Sequence, residues 1–267
     1  MASKNHLGME ITDSGVKYLE LKKNREAFEI GHFGELPLPF GFLEEGSIRD
    51  GAGLKKIISS IRAKGKWKEV TVSHLPDQVY LADLLKEAGF KDIYFESAGE
   101  AVARATMPQV AAETAMIVYF AGNKMDIYAG HRLTMKLLAT FNLSSDLLGQ
   151  MRDKEIVYSF IKEKIDEQYI SWHTHPFDSA PADAKALAGK QGGQSKRPKI
   201  KKIILSGDMP NQKELTGYLQ KSLQIKVEAG NVWQNLFSFE NYIPAINFRD
   251  ALRYSAAIGL ALRPFEK

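Results

Sequence analysis

The sequence predicts an α/β protein built twice on one plan, each half running βββαβαβα. Three observations carry this. Each half opens with three extended apolar runs joined by short polar turns, the pattern of antiparallel strands. Each then alternates helically spaced apolar residues with short β-branched runs, the pattern of strands connected by helices. A chain of 267 residues, 44% hydrophobic and 25% charged, is also large enough for two cores.

In the first half the strands fall at 7–12, 16–22 and 26–36, the first two joined by Asp13-Ser14-Gly15, favoured turn residues. "GFLEEGSIRDG" reads as a polar loop. A helix begins near Gly53, with Leu54, Ile57, Ile58 and Ile61 on one face. "KEVTVSHL" is a strand, "YLADLLKEAGF" a short helix stopped by Gly89, "KDIYFES" a strand, and "AGEAVARAT" a helix ended by Pro108. In the second half "AMIVYFA", "KMDIYAG" and "LTMKLLATFNL" are strands, with a turn at Gly122-Asn123. A helix over 153–168 turns Ile156, Val157, Phe160, Ile161 and Ile165 inward. "IKKIILSG" is a strand, 211–223 a helix carrying Leu215, Tyr218, Leu219 and Leu223, "IKVEAG" a strand, and "FRDALRYSAAIGLALR" the last helix. The implied domains are 1–110, onto which the final helix 248–263 packs back, and 111–247, with a flexible loop at 171–199. They face each other across a cleft, hinged near "MPQVAAET".

Composition narrows the function classes. A net charge of +4 is too weak to argue for nucleic acid, and Trp67, Trp172 and Trp233 are not spaced as a stacking platform. With no cysteine there is no disulfide, thiolate metal site or cysteine nucleophile. "MIVYFAG" and "AAIGLAL" are far short of a membrane span, and "MASKNH" lacks the apolar core of a signal peptide. "GKQGGQSK" has neither the spacing nor the preceding strand of a phosphate-binding loop. Lys196, Arg197, Lys199, Lys201 and Lys202 form a basic cluster leading into a strand, a solvated face or a contact for lipid headgroups or an acidic partner. "YISWHTHPFDSAPAD" is similar to the metal-binding stretch of JAMM-type zinc isopeptidases through His173 and His175, but Ser179 and Asp183 follow too soon for that pattern. His74 and His131 read as hydrogen-bonded strand histidines. "NVWQNLFSFENYIP", at 231–244, reads as core packing or an exposed partner site.

The duplicated plan resembles the actin-like (ribonuclease H-like) ATPase superfamily. "LPLPFGFLEEGSIRDGAGLKKII", "LLKEAGFKDIYFESAGEAVARA" and the closing "YSAAIGLALR" are similar to the PilM family, cytoplasmic actin-like proteins of type IV pilus assembly related to FtsA. Relatives insert a subdomain in the first half, for which "VTVSHLPDQVYLADLLKEAGF" leaves no room. Actin-like ATPases hold Mg·ATP at three turns. The resemblance maps these onto Glu10, Thr12, Asp13 and Ser14, onto Gly122, Asn123 and Lys124, and onto Ser206 and Gly207. Each departs from the family. Glu10 stands for an Asp, Thr12 for a Gly, Tyr119-Phe120-Ala121 for Asp-Ile-Gly, Met125 for a Thr, and Asp208 adds negative charge near a polyanion. The implied protein is a cytoplasmic scaffold at the inner membrane without ATP hydrolysis. Its partner would be the N-terminal cytoplasmic segment of a bitopic, PilN-like membrane protein, its only link to the membrane. The end at "LRPFEK", without an FtsA-type amphipathic anchor, favours the pilus branch. An active Mg·ATPase using Glu10 and Asp13, self-association, and a zinc hydrolase remain as alternatives.

Overall fold

The computed structural model describes residues 4–24, 27–109, 113–143, 154–174, 197–209, 212–237, 240 and 242–266. Its strands form two five-stranded sheets of the same order. β1 (Lys4–Thr12), β2 (Gly15–Asn24) and β3 (Ala27–Pro37) make an antiparallel meander. In the stretch read as a polar loop, β4 (Leu43–Glu44) and β5 (Ser47–Ile48) form a short separate ladder, because Glu45 and Gly46 take φ of 52° and 81° and turn the chain back. β6 (Glu69–Ser73) and β7 (Asp92–Glu96) then join β1 in parallel, giving the order β3-β2-β1-β6-β7. The second half repeats this with β8 (Ala115–Ala121), β9 (Lys124–His131), β10 (Thr134–Asn142), β11 (Lys202–Gly207) and β12 (Lys226–Ala229), ordered β10-β9-β8-β11-β12.

Helices cover both faces, and strand alternation decides which residues meet them. α1 (Gly51–Gly65) starts two residues before Gly53 because Asp50 accepts the Gly53 N–H at 2.8 Å. Its Leu54, Ile58 and Ile61, with Leu81, Leu84 and Leu85 of α2 (Gln78–Glu87), pack on Leu7, Met9 and Ile11 of β1. From α2 the chain passes straight into β7, with no inserted subdomain. α3 (Ala98–Thr106) follows, capped by Ser97. On the far side of the second sheet, α4 (Lys154–Thr174) and α5 (Gln212–Ser222) cover Met116, Val118 and Phe120 of β8.

α4 corrects two expectations. It continues to Thr174, so 171–174 are helix rather than loop, and Trp172 is buried in the core. Ile156 is 48% exposed, one position off the buried stripe, while Tyr158 turns inward with Val157, Ile161 and Ile165. Of the remainder of the expected loop, 197–199 are irregular chain leading towards β11, and 175–196 lie outside the described residues.

The last helix is also not continuous. It divides into α6 (Phe248–Ala251), a tight turn at Leu252–Tyr254, α7 (Ser255–Leu262) and a second tight turn at Arg263–Phe265. Every residue of α7 is buried, and it lies against α3 and β1 between the two sheets. Its small residues allow this: Gly8 of β1 faces the Ala257 carbonyl, and Gly259 faces that of Ala101, with no space for a Cβ at either glycine. Of the aromatic stretch 231–244, Trp233 is buried and stacks on Phe237 at 5.3 Å, and the Tyr242 hydroxyl accepts the Ile30 N–H of the edge strand β3 at 3.1 Å.

Candidate functional site

Three turns converge where the two sheets face each other: Asp13-Ser14 between β1 and β2, Gly122-Asn123 between β8 and β9, and Ser206 to Asp208 at the end of β11. The first two touch. Lys124 Nζ lies 2.6 Å from Asp13 Oδ2, and a Cβ on Gly122, at φ 61°, would overlap the Ser14 hydroxyl. The third closes on the second. Asp208 N–H donates to the Phe120 carbonyl at 2.8 Å, and Gly122 N–H donates to Asp208 Oδ2 at 3.2 Å. Gly207 has φ 98° with the Phe120 carbonyl against its Cα, so only glycine fits there.

Behind the turns lies a chain of charges, buried at Glu10 and Lys17 and reaching the surface at Arg253 and Glu35. The two-residue turn sets Glu10 opposite Lys17 in the hairpin, with only 2% and 4% of their surfaces exposed. Glu10 accepts a hydrogen bond from the Tyr119 hydroxyl at 2.5 Å. Lys17 Nζ lies 2.5 Å from Asp208 Oδ2. Arg253 Nε donates to Asp208 Oδ1 at 3.0 Å and its Nη2 to Glu35 at 2.7 Å. Residues from both halves and from the segment before α7 thus form one network.

Its electrostatics follow from burial. Desolvation pushes the Glu10 carboxyl above its ordinary 4.5, against the opposing pull of Lys17 and the Tyr119 hydrogen bond. Burial, with Glu10 beside it, pushes the Tyr119 phenol well up. Burial draws Lys17 down, yet the carboxylates of Glu10 and Asp208 outweigh it and hold the ammonium above 10.5. Burial also raises Asp126, against hydrogen bonds from Thr140 and Tyr128.

A raised carboxyl in the folded state means that the folded chain holds its proton more tightly than the unfolded one. The resulting stability is full below the ordinary value and is lost as pH rises through the folded one. Glu10→Gln keeps an acceptor for Tyr119 and removes the ionisation. As pH rises above 4.5, melting temperatures should fall less steeply for the variant than for the parent. Parallel slopes would contradict this account of Glu10.

The residues mapped to a nucleotide site are therefore brought together, and several of them are engaged with one another or with neighbouring side chains. Thr12 Oγ1 donates to the Gly15 carbonyl and lies 3.0 Å from Ser14 Oγ. Ser206 is fully buried, paired in register with Tyr119. The Asn123 carbonyl accepts the Leu143 N–H at 2.6 Å, and the residue faces outward into a cleft of about 450 Å³ shared with Asp13, Phe40 and Glu45. The donors suited to a phosphate, Gly122 N–H, Lys124 and Lys17, each meet a carboxylate of the chain. Beside these paired donors, Glu10 Oε2 and the Ser206 hydroxyl are buried without a hydrogen-bond partner among the described residues.

Sequence reasoning missed Lys17, Glu35 and Arg253 and took Tyr119 only as a lost carboxylate. Lys17 was within reach, since a two-residue turn after Thr12 puts it opposite Glu10. The other histidine-rich candidate stands apart. His173 lies in the last turn of α4 with Nδ1 2.8 Å from the Tyr169 carbonyl, and its Nε2 faces the Ile200 N–H at 3.4 Å. His175, Ser179 and Asp183 lie outside the described residues, among which no cluster of three or more metal-ligating side chains occurs. No helix among the described residues is long and apolar enough to cross a membrane.

No protein-family model and no curated protein matches the chain. Solved structures do match. A PilM–PilN type IV pilus biogenesis complex superposes with a TM-score of 0.64 over 98% of this chain and 99% of its own, at 14% identity. The ethanolamine utilization protein EutJ from Carboxydothermus hydrogenoformans gives 0.58 over 98% and 90%, at 11% identity. MreB5 of Spiroplasma citri bound to ADP gives 0.53 over 98% and 96%, at 9% identity. The chain has the actin-like fold. At these identities the likeness establishes the fold alone.

Proposed function

We propose that this chain is an actin-fold scaffold of a type IV pilus or related secretion platform, working at the cytoplasmic face of the inner membrane. It captures a short N-terminal cytoplasmic segment of a PilN-like membrane protein and does not hydrolyse ATP. The observation that carries this reading is the closure of the three turns by the chain's own ion pairs, Lys124 with Asp13 and Lys17 with Asp208. A phosphate would have to displace carboxylates already bound to those cations. The likeness of fold to a PilM–PilN complex supports the partner class. An extended segment suits capture by an exposed strand edge or groove.

The test is calorimetric titration with Mg·ATP, with and without Mg²⁺, alongside thermal melting at millimolar ATP. Neither heat nor a rise in melting temperature is expected. Metal-dependent binding would overturn the reading in favour of an actin-like ATPase, in which Glu10→Gln would abolish turnover.

A further inference from the structure

The strap that follows α7, residues 263–266, ties the two halves together. It lies half-exposed over the surface, and no residue of its tight turn is buried. Phe265 stands edge-on to Phe28 of β3 at 5.2 Å, and the Arg263 guanidinium lies over the Tyr94 ring of β7, also at 5.2 Å. Glu266 turns its carboxylate inward to two arginines. It accepts from Arg104 Nε of α3 at 2.8 Å and from Arg132 Nη2, in the turn between β9 and β10. Both arginine side chains are only 7% exposed.

The two arginines are unequally secured. Arg104 also holds both carboxylate oxygens of Glu96 and the Gly259 carbonyl, the latter at 3.1 Å. Arg132 has Glu266 as its one carboxylate partner among the described residues. Its other bonds go to the end of α3, Nε to the Met107 carbonyl and Nη2 to the Arg104 carbonyl, each at 3.1 Å. Met107 opens the connection from α3 to β8, where the sequence places the hinge between the halves. The second half thus grips the hinge through a buried guanidinium, and the strap supplies its counter-charge. Asn235 donates to the same two carbonyls, at 2.9 Å to Arg104 and 2.7 Å to Met107.

We propose that the strap is a latch on this hinge. With the strap down, Glu266 neutralises Arg132, and the guanidinium fixes the end of α3 against the β9–β10 turn. With the strap lifted, Arg132 is a desolvated cation without a counter-charge, and it turns out to water. Arg104 stays in place, because Glu96 still neutralises it. The carbonyls that Arg132 leaves keep Asn235, so its departure orphans no acceptor. Each arrangement is therefore self-consistent, and the strap selects between a fixed hinge and one that bends. The latch works whether or not the three turns hold a phosphate, so it stands apart from the proposed function.

The chain has no cysteine, so spin labels at two exposed helix positions, Ser59→Cys of α1 and Lys221→Cys of α5, report the separation of the halves by double electron–electron resonance. The parent should give one distance. Glu266→Gln, Arg132→Met and Phe265→Ala, which loosens the strap without removing a charge, should each add a second population. Glu266→Gln combined with Arg132→Met should add no more than either alone, since both act on one latch. Amide exchange of residues 104–107 should quicken about tenfold or more in each variant, while that of β8 and β11 stays as in the parent. Glu214→Gln, which breaks an exposed pair with Lys154, is the control and should change neither readout. A single unchanged distance in all three variants would overturn the proposal. So would exchange that quickens equally throughout the chain, the mark of simple destabilisation, or a like response in the control.

Discussion

Replacing Lys17 with Met should lower the melting temperature by about 6–20 °C. Removing one member of a buried ion pair leaves the other charged and desolvated, which costs about 3–5 kcal/mol, and in a chain of this size each kcal/mol moves the midpoint by about 2–4 °C. Lys17 is almost wholly buried, sits opposite Glu10 and binds Asp208, so its loss leaves two carboxyl groups without their cation. Of these, Glu10, already raised by burial, is driven further toward its protonated form. Arg253 can relieve only one of them, since it bonds Asp208 and not Glu10. The decisive comparison is the triple variant Lys17→Met, Glu10→Gln, Asp208→Asn. It removes the stranded charges together, while the amide that replaces the Glu10 carboxylate keeps an acceptor for Tyr119, and most of the lost stability should return. If the triple variant instead melts at the sum of the single losses, the three side chains act independently and the network is not a unit.

The residues of this network explain what could be read in the sequence and what could not. The meander strands were legible because Leu7, Met9 and Ile11 alternate with residues of the opposite face, and that alternation survives whatever covers the sheet. Burial of the second face was not legible. Glu10 and Lys17 look like the solvated side of a hairpin, and only the approach of Tyr119, Asp208 and Arg253, all more than 100 residues away in the chain, encloses them. Local register gives Glu10 opposite Lys17; the partners are tertiary. The same distinction separates the helix errors. Ile156 was assigned inward because a helical stripe tolerates a neighbour one step off, and the second sheet uses Tyr158 instead. The end of α4 had a readable signal in Pro176, two residues beyond Thr174. The break before α7 had no such signal. "FRDALRYSAAIGLALR" contains no proline or glycine near Tyr254, whose φ of −100° and ψ of 10° interrupt the helix just before the wholly buried run from Ser255 to Leu262.

Gly259→Ala should be the most damaging single methyl in the chain, unfolding it or costing at least about 3 kcal/mol, the upper end of the usual overpacking penalty. A Cβ at Gly259 would run into the carbonyl, the carbonyl carbon and the Cα of Ala101. These are backbone atoms of α3, held by that helix's own hydrogen bonds, so no rotamer change can make room. From the other side, Gly8 of β1 receives the Ala257 carbonyl and the Ala261 nitrogen of the same helix equally closely. α7 is thus held between β1 and α3, and any shift away from Ala101 pushes it towards another backbone. Gly217→Ala is the matched control. It lies exposed on α5 with no atom within 4 Å of the added methyl, so the change should stabilise by about 0.5–1 kcal/mol through helix propensity. Urea unfolding of both variants measures the difference. If Gly259→Ala costs no more than about 1 kcal/mol, then α7 can slide within its slot. The packing of α7 between β1 and α3 would then be adjustable rather than fixed by backbone contact.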